Sequence, residues 1–225
     1  MEIRNTEMNQ LIFKFPFKTK YYQEDFFVSS NNFSAYKLIE SWPDWPGNWL
    51  NVFGFKGSGK THLSKILEKK IKKVKIIKEE HINDKTISEL SNIQCLIIDN
   101  FENKTDERLL YSILNHSKQY EKYVVINSLR SLKKENFKLN DLKSRINSFV
   151  FIGIELPTDD LLKVIISKYF SEKQININPK ISEYIIKNVD RSYEKTFKFI
   201  KEVDELSLSS GKSININLIK KLLNQ

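Results

Sequence analysis

Eight consecutive residues, Gly54-Phe55-Lys56-Gly57-Ser58-Gly59-Lys60-Thr61, complete the pattern G-x-x-x-x-G-K-[ST] without a mismatch. A phosphate-cradling loop of this kind sits between a strand and a helix, so it dictates the architecture around it. Gly54, Gly57 and Gly59, with Ser58 between them, let the backbone wrap closely and turn its N–H groups toward an anion. Lys60 supplies charge to the β and γ phosphates of a nucleotide, and the Thr61 hydroxyl ligates magnesium. The helix that follows aims its positive end at the bound anion. The flanks agree with this reading. Residues 48–53 are a strand entering the loop, and Leu63, Ile66, Leu67 and Ile71 follow it with helical spacing.

Strand and helix patterns alternate through the next hundred residues. Strands are expected at 74–77, 95–98, 123–126 and 149–152, and helices at 84–90, 106–119 and 139–146. A short helix at 34–42 precedes them, stopped by Pro43 and Pro46. This alternation predicts an α/β fold, a parallel sheet with helices on both faces. After Leu156-Pro157 the pattern becomes all-helical, with helices at 158–173, 179–188, 193–208 and 215–223. The expected division is an irregular N-terminal arm (1–24), a nucleotide-binding α/β domain (25–156) and a helical lid (157–225).

The net charge is +9, but of the 37 basic residues only five are Arg. The abundance of Lys, Ile and Asn follows from an A/T-rich coding sequence whatever the function. The run from Lys69 to Lys75 therefore reads as a solvated helix end before it reads as a nucleic-acid patch, with weak or nonspecific DNA contact left open. No stretch approaches a membrane span, and the polar start lacks the apolar core of a signal peptide. The single Cys95 lies in an apolar run and has no partner for an internal disulfide. These features predict a cytoplasmic protein.

Other residues extend the nucleotide site. An apolar strand ends in Asp99, where a phosphate-loop protein places the carboxylate that holds magnesium through water. The next residue is Asn100, where many ATPases have the Glu that orients the attacking water. An amide cannot accept a proton from water, so hydrolysis by this subunit alone should be slow. Glu102 is the nearest substitute. Asn127 is expected just after the fourth strand, placed to touch the γ-phosphate or the attacking water. Arg145, before the fifth strand, and Arg191, at the start of a tail helix, occupy the spacing of an assembling ATPase. Arg also offers a planar fork that Lys does not.

Together these motifs make the chain resemble the AAA+ ATPases, in the branch that contains the replication initiator DnaA. Asp25-Phe26-Phe27-Val28-Ser29-Ser30-Asn31 is similar to the adenine-side motif of that branch, and Gly59-Lys60-Thr61-His62-Leu63 to its phosphate-loop exit. Asp141-Leu142-Lys143-Ser144-Arg145 resembles the segment carrying its arginine finger, and Asp190-Arg191 falls where its second sensor arginine sits. The resemblance implies binding of ATP or ADP with Mg2+. It assigns Lys60 and Thr61 to phosphate and magnesium, Asp99 to the second acidic site and Asn127 to the first sensor. It makes Arg145 active in trans and Arg191 in cis, and it leaves self-assembly into a homo-oligomer open.

The sequence departs from DnaA at two points, both resembling the shorter, Hda-type members of the branch. It stops at Gln225 with no room for a helix-turn-helix domain, and Asn100 replaces the initiator's second acidic residue. Hda-type proteins join the DNA-loaded sliding clamp and stimulate hydrolysis of DnaA-bound ATP. The N-terminal arm adds Gln10-Leu11-Ile12-Phe13-Lys14-Phe15, similar to a clamp-binding motif in which Gln10, Leu11, Phe13 and Phe15 anchor an extended segment in an apolar pocket. The resemblance thus implies the sliding clamp and the DnaA initiator as partners, and a weak or partner-dependent ATPase. The alternative within the same fold is a helicase-loader-like or replisome ATPase that binds single-stranded DNA. A phosphate-loop kinase is disfavoured, because no substrate-binding insertion is evident.

Overall fold

The computed structural model describes residues 26–223. Gln10, Leu11, Phe13, Phe15 and Asp25 lie outside the described residues. The described chain divides into two compact units, 26–156 and 157–223.

The first unit runs α1 (Phe33–Glu40), β1 (Trp49–Gly54), α2 (Lys60–Lys70), β2 (Val74–Lys78), α3 (Asp84–Glu89), β3 (Cys95–Phe101), α4 (Glu107–Gln119), β4 (Tyr123–Ser128), α5 (Asn140–Ile146) and β5 (Val150–Ile154). All strand pairs are parallel, in the order β2-β3-β4-β1-β5. The apolar strands are divided between two helical layers by the two-residue side-chain period. Leu96 and Ile98 of β3 and Val124 and Ile126 of β4 pack with Leu110, Ile113 and Leu114 of α4 and Leu142 and Ile146 of α5. Cys95, Ile97 and Val125 face the other way, toward Ala35 and Ile39 of α1 and Leu63, Ile66 and Leu67 of α2. Burial pushes the Cys95 thiol up to about 12, so it is an inert part of this layer.

Two element boundaries correct the sequence reading where it matters. Strand β4 continues to Ser128, so Asn127 lies inside the strand, paired with Val52 of β1, and does not follow it. Strand β3 continues past Ile98 to Phe101, because an irregularity there lets the ladder resume after Asp99 and Asn100. Single 3-10 turns at Glu79–His81, Leu90–Asn92 and Leu132–Lys134 were not legible from periodicity. The lysine run ends α2 with Lys69 and Lys70, buries Ile71, and then enters β2.

The second unit consists of α6 (Asp159–Ser171), α7 (Pro179–Asn188), α8 (Tyr193–Ser210) and α9 (Ile216–Leu222). Each begins at a side chain that accepts a hydrogen bond from the first turn: Thr158, Asn178, Ser192 and Asn215. Ile166, Phe170, Ile185, Ile200 and Ile219 form its core. Among the described residues no helix is long and apolar enough to cross a membrane.

Candidate functional site

A parallel sheet ends all its strands at one edge, and ligands of such sheets bind there. In this order β1, β4 and β3 are neighbours, so their ends bring together Gly54, Asn127 and Asp99. Strand parity completes the placement. Positions 95, 97 and 99 of β3 and 125 and 127 of β4 share the α2 face, which carries Thr61 and Ser64.

The loop itself is tightly packed. At Gly54 a Cβ would stand 2.7 Å from the Ile154 carbonyl oxygen, and Gly59 has φ +94 with a Cβ position 2.9 Å from Phe26. Phe26 stacks on Tyr36 at 5.7 Å and meets the His62 ring edge-on at 5.2 Å. The segment holding Phe26 and half-buried Val28 is thereby fixed against the phosphate loop. Its far end is tied to β5, because Asn31 Nδ2 donates to the Glu155 carbonyl and Glu155 N–H donates back to the Asn31 carbonyl.

Lys60 is buried, and its Nζ donates to the carbonyls of Gly54 (2.7 Å) and Phe55 (2.9 Å), with buried Ser58 Oγ at 3.5 Å. Burial lowers its pKa to about 8, partly opposed by the Asp99 carboxylate. Thr61 Oγ1 donates to Asp99 Oδ2 (2.8 Å), and Asn127 Nδ2 donates to Asp99 Oδ1 (2.8 Å) and to Ser64 Oγ (2.8 Å). Both amide hydrogens of Asn127 are thus committed, and the residue positions Asp99 before it touches any ligand. Its Oδ1 is buried without a partner among the described residues, leaving an acceptor of the kind a water would satisfy. These residues fit a polyphosphate with a divalent cation. Lys60 and the loop N–H groups would hold the phosphates, and Thr61 and Asp99 would supply the few oxygen ligands that magnesium requires of a protein.

The proton linkage of Lys60 has a definite sign. Binding a polyphosphate needs the ammonium, so above about pH 8 the free protein must take up a proton to bind. Nucleotide affinity should be level below that pH and about tenfold weaker at about pH 9, measured by titration with a fluorescent ADP analogue. A flat profile would contradict this. Stability runs the opposite way. The unfolded chain binds more protons between about 8 and the ordinary lysine value of 10.5, so stability rises as pH climbs through that window.

Asn100 has a second explanation that the sequence did not reveal. Ile98 pairs with Ile126 and Phe101 with Ser128, so Asp99 and Asn100 together oppose Asn127 in a bulge. The bulge restores Phe101 to the layer under α4 and leaves Asn100 exposed, with φ 56. Asparagine is among the few non-glycine residues that adopt this conformation routinely. Asn100→Gly should therefore be close to neutral, and Asn100→Val should lose about 1–2 kcal/mol in urea unfolding. Equal midpoints for the two variants would show that the left-handed backbone plays no part.

Three further residues, none signalled by the sequence motifs, hold the site's surroundings. Buried Glu79, just after β2, accepts from the backbone N–H groups of Glu102 (2.5 Å), Lys104 (2.6 Å) and Thr105 (2.9 Å), pinning the loop after β3. Fully buried Asn51, in β1, donates to the Ile126 carbonyl and Ser128 Oγ and accepts from Leu132 N–H. A polar residue inside an otherwise apolar central strand was the readable signal for it. Asn115 of α4 accepts from Arg145 Nη2 at 2.7 Å.

The remaining candidates have other partners. Arg145 is half-buried on α5, and its Nε is buried without a partner among the described residues. Arg191 is exposed and pairs with Asp159 at 2.6 Å, a contact internal to the helical unit. Glu102 forms an ion pair with Lys104 at 2.5 Å that holds its carboxyl below the usual range, which weakens it as a proton acceptor.

No family model matches the chain. It is 25% identical over 233 residues to the chromosomal replication initiator protein DnaA of Buchnera aphidicola subsp. Cinara cedri, covering 92% of this chain and 53% of that protein. Domain III of the Thermotoga maritima replication initiation protein DnaA superposes with a TM-score of 0.75, covering 93% of this chain and 98% of that one at 21% identity. The fold is a DnaA-like AAA+ fold. AMPPCP-bound DnaA from Aquifex aeolicus has the same fold at a TM-score of 0.67 and 20% identity, covering 86% of this chain and 68% of that one. The chain spans about half the length of the curated DnaA it matches.

Proposed function

We propose that this DnaA-like chain is a nucleotide-bound regulator of chromosome replication, of the Hda type, that works on a partner's ATP. The observation that carries the reading is a complete cradle, Lys60, Thr61 and Asp99 in one hydrogen-bonded cluster, beside an exposed amide at Asn100. Such a site holds adenine nucleotide and turns it over slowly. The AMPPCP-bound DnaA of the same fold supports adenine as the base. Bound magnesium neutralises phosphate charge. The chain's own residues supply the loop donors, the Lys60 ammonium and the Asp99 carboxylate oriented by Asn127.

In this reading the arm holding Gln10, Leu11, Phe13 and Phe15 engages the sliding clamp, and Arg145 completes the ATP site of the initiator DnaA. The test mixes the purified chain with DNA-loaded clamp and ATP-loaded initiator and follows ADP formation. Acceleration that disappears when Gln10→Ala and Leu11→Ala are combined, at unchanged nucleotide affinity and melting temperature, supports the proposal. No acceleration, with turnover by the chain itself raised by single-stranded DNA, would favour a helicase-loader-like ATPase instead.

A further inference from the structure

We propose that the edge of the sheet opposite the phosphate loop binds the phosphate backbone of duplex DNA. All five strands start at that edge, and backbone hydrogen bonds set its loops in a row. Gln94 N–H donates to the Lys73 carbonyl (2.7 Å), Tyr123 N–H to the Gln94 carbonyl (3.1 Å), and Val124 N–H to the Asn48 carbonyl (3.0 Å). Neighbouring strands lie about 4.8 Å apart, so Lys72 and Lys73 before β2 and Lys118 and Lys122 before β4 share one face of limited width. The segments 91–94 and 47–48 carry no charge, and the acids in the loops before β1 and β4 are Asp44 and Glu121. Among the described residues none of the four lysines has an ion-pair partner. Lys122 Nζ reaches only the Ser91 carbonyl, at 3.5 Å.

A second observation lies at the centre of the row. Lys118 and Lys122 line an open cleft of about 160 Å³ with Asn48, Ser117 and Ser148. The Ser117 side chain is fully buried, and among the described residues its hydroxyl has no hydrogen-bond partner. An unpaired buried hydroxyl is costly, and an anionic oxygen in the cleft would satisfy it. Trp42, Trp45 and Tyr123, the large apolar side chains near this edge, are half-buried against the core. Among the described residues Tyr120, 52% exposed, is the one large exposed hydrophobic at this edge. Hydrated point charges on flexible stems suit regularly spaced phosphates, which need no shape match. The surface is separate from the nucleotide cluster, so the proposal stands whether or not the chain meets a clamp.

The test is fluorescence anisotropy with a labelled duplex of mixed sequence across a salt series. Four phosphate contacts predict a slope of about −3 to −4 in log affinity against log salt, or roughly a 100-fold loss between about 50 and 200 mM. Replacing Lys72, Lys73, Lys118 and Lys122 together by Gln should weaken binding at least about tenfold and flatten the slope. The same change at Lys180, Lys187, Lys220 and Lys221 in the helical unit should alter neither. If the edge variant does not fold, Lys72→Gln and Lys118→Gln, both at exposed positions, should each lower the slope by about one. The proposal is overturned if the native protein fails to bind duplex or if the edge variant binds as the native protein does. It is equally overturned if the control loses as much, or if phosphatidylserine vesicles capture the protein at salt where duplex does not.

Discussion

Lys60→Ala should abolish adenine-nucleotide binding while the fold persists. In the free protein the ammonium is held by the Gly54 and Phe55 carbonyls, inside a site that has already stripped most of its water. A polyphosphate adds counter-charge to that of the Asp99 carboxylate. Charge-assisted hydrogen bonds contribute about 1.5–3 kcal/mol each, so losing two of them weakens binding by roughly 100-fold or more. Removing the cation also removes its desolvation cost, which offsets the two lost carbonyl contacts in the free state. Calorimetric titration with ADP and a melting curve read the two effects separately. Native affinity in a folded Lys60→Ala protein would remove the phosphate-loop assignment.

Arg145→Ala should leave nucleotide and clamp binding intact and abolish stimulation of the initiator's ATPase. A finger supplied in trans is worth about 10³–10⁵ in rate where it has been studied. The guanidinium is oriented on its own domain by the Asn115 contact, with Nε buried and without a partner among the described residues. Arg145→Lys should recover little, because an ammonium cannot reproduce the planar fork. Single-turnover hydrolysis of initiator-bound ATP measures the effect. Normal stimulation by either variant would end the in-trans role. A stability loss in Arg145→Ala without loss of stimulation would assign the residue to packing against α4.

The strand, loop and helix around Gly54–Thr61 were legible in the sequence because they are built from local rules. The spacing of Gly54, Gly57, Gly59, Lys60 and Thr61 requires a strand before it and a helix after it, and the apolar run ending in Asp99 requires a second strand. Side-chain parity groups Asp99 with Cys95 and Ile97, and Asn127 with Val125, but only the packed structure shows that α2 covers that face. The helical second unit was equally readable, since Thr158, Asn178, Ser192 and Asn215 mark helix starts whose partners lie within three residues. The charge row was not readable, because Lys73 and Lys122 are far apart in sequence and meet only through the strand order.

What the residues in order determined, then, is the loop chemistry, the α/β alternation and the helix starts, each set by interactions within a few positions. The tertiary structure decided how far β3 and β4 run, since the bulge at Asp99 and Asn100 exists only because Phe101 gains burial under α4. It decided that Asn127 is committed to Asp99 and Ser64, and that Glu79 spans 23 positions to hold the loop after β3. These are contacts between segments distant along the chain. No local pattern encodes them, because the free energy of burying a polar group is settled by whichever partner the completed fold brings to it.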